Sequence, residues 1–262
     1  MAIKIMIDAG HYKDYNRSNT FKLYYEGNMT FQLQGYLKKE LEAYGFKVST
    51  TRQRTSENPS LYNRGFMAKG YDLFLSLHSN ACGTESVDRV VVIKGYDQPD
   101  TLAKALAIAI HDTMQPKQKY QIYKKTTSTG GEYYGVLRGA KAAGVANRFI
   151  LEHSFHTNNA MATWLYSDAH LKKLAKAEAK AIAKYYGYDK KEEKVEDDKT
   201  GVYRVLVDTL NIRKGPGTSY DKVGELHKGD AYTVVKTEDS WGYLKTGAGW
   251  ISLGSSYVLK VK

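Results

Sequence analysis

Cysteine is almost missing from this chain: Cys82 stands alone among 262 residues. Intrachain disulfides are therefore excluded, and so is a structural zinc site built from several thiolates. Any metal has to be held by histidine and carboxylate. Long apolar runs are missing too, since no stretch approaches the ~20 residues needed to cross a bilayer. The start, Met1 to Asp8, has no basic segment followed by a long apolar one. It reads as a first strand, and synthesis in the cytoplasm without an export signal is the expectation.

What is present suits a folded protein. A hydrophobic share of 42% and a charged share of 26% exclude disorder as the main state and leave room for one large domain and one small one. The net charge of +11 favours a polyanionic partner, for which nucleic acid, acidic lipid and anionic wall polymer all qualify. The excess is concentrated: 26 basic against 16 acidic residues give +10 over 1–187, whereas 9 against 6 give +3 over 201–262. No zinc-finger, helix-turn-helix or RNA-platform signature accompanies it, so nucleic acid is not an expected partner.

Residues 188–200 are charged and nearly free of apolar side chains, too polar to build a core, and read as a linker between domains 1–187 and 201–262. Before the linker, runs of strand character (Ile3 to Asp8, Phe46 to Thr51, Leu73 to His78, Arg89 to Lys94, Arg148 to Glu152) alternate with helical ones. In Glu26 to Tyr44, Met29, Leu33, Leu37 and Leu41 recur at a four-residue step. Leu102, Leu106 and Ile110 do the same in Thr101 to Met114. A last helix starts near Asp168 and stops at Gly187. The alternation predicts an α/β fold with a twisted, largely parallel central sheet flanked by helices. After the linker, short strands separated by Gly, Asp, Ser and Pro predict a small all-β domain.

Three candidates share a telling position. His11 follows the first strand, His78 closes the third and Glu152 closes the run from Arg148. In open α/β sheets the carboxyl ends of strands are where ligand sites gather. Glu26 opens a long helix, and by position alone it reads as a charge offsetting the positive end of the helix dipole. His11 and His78 taken singly read as turn or strand-end histidines. Two imidazoles with one carboxylate nevertheless form the ligand set of a catalytic zinc that leaves a position open for water.

The motifs Ile7-Asp-Ala-Gly-His11, Glu26-Gly-Asn28, Ser76-Leu-His78-Ser-Asn-Ala81 and Leu151-Glu152-His-Ser-Phe-His-Thr-Asn158 occur in this order, with Arg52 and Arg64 between them. Over residues 1 to 187 the series resembles the zinc-dependent N-acetylmuramoyl-L-alanine amidases of bacteria and their phages. The resemblance implies Zn2+ as cofactor, held by His11, Glu26 and His78, with Glu152 as general base and peptidoglycan as partner. The chain departs from the family after His11, where Tyr12-Lys-Asp14 replaces the usual glycine and acid. It departs again after Glu152, where His-Ser-Phe155 replaces x-Gly-Phe.

Glu152 and His156 have the spacing of a zinc-binding helix pair, but the segment reads as a strand end. His153 and His156 are taken as supporting residues, and His111, His170 and His227 as ordinary ones. Glu132, in a glycine-flanked loop, is a candidate substrate contact, although a solvated loop acid is the plainer reading. Cys82 reads as a small packing residue.

From Val202 onward, Leu210-Asn-Ile-Arg-Lys-Gly-Pro-Gly217, Trp241-Gly-Tyr243 and Gly249-Trp250-Ile251 resemble bacterial SH3-like wall-binding domains. Trp241 and Trp250 are candidate wall contacts, or core residues of a small barrel. A wall-degrading domain joined to a wall-binding one suggests a phage endolysin, held in the host cytoplasm until lysis and then acting on the wall and its anionic polymers. A host autolysin, a sporulation amidase and a catalytically inactive wall-binding protein are the alternatives.

Overall fold

A computed structural model describes residues 2–188, 199–238 and 240–261. The chain forms two compact units, residues 1–191 and 192–262. Most of the expected linker, residues 189–198, lies outside the described residues. Tyr188, which composition assigns to that linker, belongs with the first unit. Its ring stacks on Phe46 at 4.2 Å and its hydroxyl accepts from the Ile3 amide at 3.0 Å. No described helix is long and apolar enough to cross a membrane.

The first unit has strands β1 (Lys4–Ala9), β2 (Lys47–Thr50), β3 (Leu73–Asn80), β4 (Val91–Lys94), β5 (Gln121–Tyr123) and β6 (Asn147–Phe155). They make one sheet in the order β2-β1-β3-β6-β4-β5. Neighbouring strands run parallel except β4, which lies antiparallel to β6. The sheet is thus mixed, with a parallel centre where β1, β3 and β6 meet.

Each strand divides its side chains between two layers, as a pleated strand must. Ile5, Ile7, Leu73, Leu75, Leu77, Phe149 and Leu151 face helices α1 (Glu26–Ala43), α3 (Thr101–Met114) and α6 (Asp168–Tyr186). Met6, Phe74 and Ile150 face the other way, against α4 (Gly135–Ala142), on which α2 (Leu61–Phe66) packs through Gly65 and Gly139. α1 buries Met29, Leu33, Leu37 and Leu41, the four-residue stripe of the sequence. Burial of each such side chain contributes about 1.5–3 kcal/mol. α6 ends at Gly187, whose φ of 69° supplies the left-handed cap that a β-carbon would disfavour.

The second unit is an antiparallel sheet of β7 (Gly201–Val205), β8 (Thr209–Arg213), β9 (Lys222–His227), β10 (Ala231–Glu238), β11 (Trp241–Leu244), β12 (Trp250–Ser252) and β13 (Val258–Lys260). Its core includes Val205, Leu210, Ile212, Val234, Leu244 and Ile251. Trp250 is 8% exposed and Trp241 is half-buried, so Trp250 is mostly in the core and Trp241 keeps one side to solvent.

Candidate active site

The central strands β1 and β3 run parallel and adjacent, so their carboxyl ends open at the same edge of the sheet. The Gly10 amide donates to the Leu77 carbonyl at 3.0 Å, carrying the pairing one residue beyond β1 before His11 turns at a φ of 57°. A β-carbon on Gly10 would fall 2.3 Å from the His78 ring. Glycine there lets the two imidazoles approach, with ring centroids 5.1 Å apart.

Glu26 projects between them from the first turn of α1. It is 1% exposed, so it is not a solvated helix-end charge. Its Oε2 lies 3.2 Å from His11 Nε2, and its Oε1 lies 2.9 Å from His78 Nδ1 and accepts from the Ser79 amide at 2.9 Å. The Asn16 side-chain amide also donates to Oε2. One donor atom from each of His11, Glu26 and His78 lies within 4.8 Å of the others. Burial opposes ionisation of Glu26, but hydrogen bonds from both histidines outweigh it and lower its pKa. Burial likewise opposes charge on His78, and the Glu26 hydrogen bond and charge push its pKa up to about 9.

The loop after β1 is held by buried cations. The His11 carbonyl accepts from Arg52 and, at 2.8 Å, from Arg64. Arg64 also donates to Asp8 Oδ1 at 3.0 Å and to the Ala9 carbonyl at 2.7 Å, while Ser76 donates to Asp8 Oδ2 at 2.7 Å. The sequence offered Arg52 and Arg64 merely as residues between motifs. Their role as the frame of the His11 loop depends on partners some forty to fifty residues away, which no local pattern announces.

Glu152 lies opposite His78 in the β3–β6 register. Both strands run past these residues, to Asn80 and Phe155, so neither residue closes its strand. The ladder continues through a register shift, and Ser154 adopts a φ of 65°. β6 ends at Phe155 and His156 follows in a turn, so Glu152 and His156 do not share a helix face. Glu152 Oε2 is buried and has no hydrogen-bond partner among the described residues. Burial pushes the Glu152 pKa up to about 7, with His78 opposing the shift and Glu26 adding to it.

The flanking histidines diverge. His153, on the opposite face of β6, lies 2.8 Å from Glu178 Oε1 on α6 and 2.8 Å from the His78 carbonyl. His156 Nδ1 lies 2.9 Å from Ser79 Oγ, which lies 2.6 Å from the Tyr24 hydroxyl. Glu132 is 4% exposed and bound to Arg148 at 3.1 and 3.2 Å, and is not among the residues that line the groove beside His11 and His78. Cys82 stays outside the cluster, its thiol against the Thr84 carbonyl. The groove, about 440 Å³, has His11, Tyr12, Tyr15, Asn58, Leu61 and His78 in its walls. A separate hollow of about 520 Å³ beside α1, with Leu23, Phe31 and Tyr166, contains none of His11, Glu26, His78 and Glu152.

Residues 5–184 match the family model described as N-acetylmuramoyl-L-alanine amidase, and residues 208–258 match the bacterial SH3 domain. Among solved structures, the catalytic domain of CwlV from Bacillus (Paenibacillus) polymyxa var. colistinus superposes with a TM-score of 0.58 at 18% identity, covering 71% of this chain and 99% of that one. Cwp6 from Clostridium difficile gives 0.57 at 21% identity, over 70% of this chain but 29% of Cwp6. At these identities the likeness is one of fold. The Bacillus subtilis protein YrvJ is 36% identical over 45 residues, which are 17% of this chain and 9% of YrvJ.

Proposed function

The chain belongs to the N-acetylmuramoyl-L-alanine amidase family, and from that premise we propose that it hydrolyses the amide between the lactyl group of N-acetylmuramic acid and L-alanine in peptidoglycan, with zinc held by His11, Glu26 and His78. The observation that carries this reading is the convergence of those three donors beside Glu152, whose buried Oε2 has no hydrogen-bond partner among the described residues. Two imidazoles and one carboxylate, with no thiolate among them, fit a zinc ion that keeps a position open. Bound there, zinc would supply a Lewis acid that polarises the scissile carbonyl and acidifies water.

The rest of the chemistry falls to the protein. Glu152, with its pKa near 7, takes the proton of the attacking water and returns it to the departing amine of L-alanine. Glu26, itself 1% exposed, compensates cationic charge between the two histidines. The Arg52 and Arg64 frame fixes the His11 loop, so that its imidazole is in place before substrate arrives. Glycoside cleavage generally needs two carboxylates flanking the bond, and here the second one, Glu26, is engaged by both histidines.

The bacterial SH3 domain supports a role for residues 201–262 in holding the enzyme on the wall, joined through the charged segment that follows Tyr188. A fragment from Gly201 onward is expected to fold and to bind cell walls without lysing them. The pairing of the two domains supports an endolysin that is held in the host cytoplasm and acts on the wall at lysis. Mass spectrometry of digested walls tests the activity. New L-alanine amino termini without new reducing sugars are expected, and reducing ends or other amino termini would refute it.

A further inference from the structure

His11, Tyr15 and Tyr12 are linked by two ring stacks beside the reacting centre. The His11 and Tyr15 rings are stacked at 5.1 Å and 19°, and those of Tyr15 and Tyr12 at 5.6 Å and 23°. The loop that presents them contains three non-glycine residues in the left-handed region, His11 at 57°, Lys13 at 42° and Asn16 at 57°. Such backbone is costly and persists where the surroundings hold it, as Arg52, Arg64 and the Asn16–Glu26 bond do here. Tyr15 is 51% exposed, and neither phenol has a hydrogen-bond partner among the described residues.

Asn58 lines the same groove as the tyrosines, and its amide orientation is set. Arg64 Nη2 donates to it at 3.0 Å, so the atom it meets is the oxygen, and the NH2 group is left as a donor without a partner among the described residues. No free cation lines this groove among the described residues. The guanidinium of Arg64 is engaged by Asp8, Asn58 and the carbonyls of Pro59, Ala9 and His11. A carboxylate-rich peptide stem would find no counter-charge there. Aromatic rings, free phenols and an amide donor match an uncharged, hydroxyl-bearing ring with an acetamido group.

We propose that Tyr12, Tyr15 and Asn58 form a subsite for the N-acetylated saccharide ring on the muramic acid side of the scissile amide. The assignment rests on the amidase reading for which side of the bond it serves, but binding can be measured without hydrolysis. The probe is N,N′-diacetylchitobiose titrated by isothermal calorimetry into the full-length chain, its Tyr12→Ala variant and its Asn58→Leu variant, with metal content measured on each. The disaccharide is expected to bind the parent and to bind each variant about fivefold or more weakly, as loss of a stacked ring or a specific donor implies, with metal content unchanged. A free stem peptide starting with L-alanine is expected not to displace it.

Tyr12→Phe is expected to retain most of the binding that Tyr12→Ala loses, which separates loss of the ring from loss of the fold. Equal affinity for parent and variants, absence of binding to the parent, or displacement by the peptide would each overturn the assignment. Failure of muropeptide hydrolysis alongside intact, Tyr12-dependent saccharide binding would instead refute the amidase reading and leave the subsite standing.

Discussion

β6 carries two histidine–carboxylate systems within two residues of each other, and they differ in the one property that matters for chemistry. On one face, Glu152 borders the cluster in which His11 and His78 meet Glu26. The side chains of those histidines are 28% and 16% exposed, and Glu152 keeps an oxygen unbonded among the described residues. On the other face, His153 meets Glu178 at 2.8 Å with both side chains 0% exposed. Both ring nitrogens of His153 face acceptors, the Glu178 carboxylate and the His78 carbonyl. Glu178 Oε2 is likewise buried without a partner among the described residues, so it is solvent access that separates the two: the same residue types at similar distances make a reactive cluster where solvent enters, and a structural tie where it does not and every nitrogen is used.

The largest expected effect lies on the sealed side. Glu178→Gln leaves a buried imidazole without its counter-charge and is expected to destabilise the first unit by about 3–5 kcal/mol in denaturant unfolding. A loss below about 1 kcal/mol would mean that the pair is not the tie described. On the open side, Glu152→Gln is expected to lower kcat by about a hundredfold or more while the unfolding midpoint stays near that of the parent. The parent's rate is expected to rise as pH increases through about 7, because Glu152 must be deprotonated to accept a proton. A rate that falls over that range would assign the proton transfer elsewhere.

A smaller effect tests how the open cluster is assembled. Gly10→Ala places a β-carbon against the His78 ring and is expected to weaken zinc binding about tenfold in chelator competition, by analogy with loss of groups that orient metal ligands. Unchanged affinity would show that His78 does not need its observed position.

The smallest effect is a pH dependence. Burial works against charge on His153, but Glu178 outweighs it and raises the pKa above the ordinary 6.5. Stability from that raised value is fully present below about pH 6.5 and is lost as pH climbs through the folded-state pKa. The advantage of the parent over His153→Gln in urea unfolding should therefore shrink as pH rises above about 6.5. An advantage that grows over this range would contradict a charged His153.

Long periodic segments made much of this legible in the sequence. α3 spans the Thr101 to Met114 of its leucine stripe, and the strand runs around Leu73 and Ile150 lie in the sheet centre. The helices α2, α4 and α5 (Asn159–Tyr166), of six to eight residues, are too short to display a period and went unread. Strand ends were set too early at His78 and Glu152, because polar residues look like termini although the ladder continues beneath them. Motif order brought forward His11, Glu26, His78 and Glu152, which the fold gathers at one sheet edge. The Arg148 partner of Glu132, the Glu178 partner of His153 and the Arg64 frame of His11 are long-range contacts that one sequence cannot display.

The central claim is that Glu26 holds a metal while Glu152 carries a proton, and metal analysis of two full-length variants, Glu26→Gln and Glu152→Gln, tests it most directly. After equilibration with zinc and removal of excess, Glu152→Gln is expected to retain near-stoichiometric metal. Glu26→Gln is expected to be metal-poor, because a neutral amide is a weak zinc ligand and leaves the cation's charge uncompensated. The opposite pattern, with Glu152→Gln losing zinc and Glu26→Gln keeping both zinc and hydrolysis, would contradict the assignment.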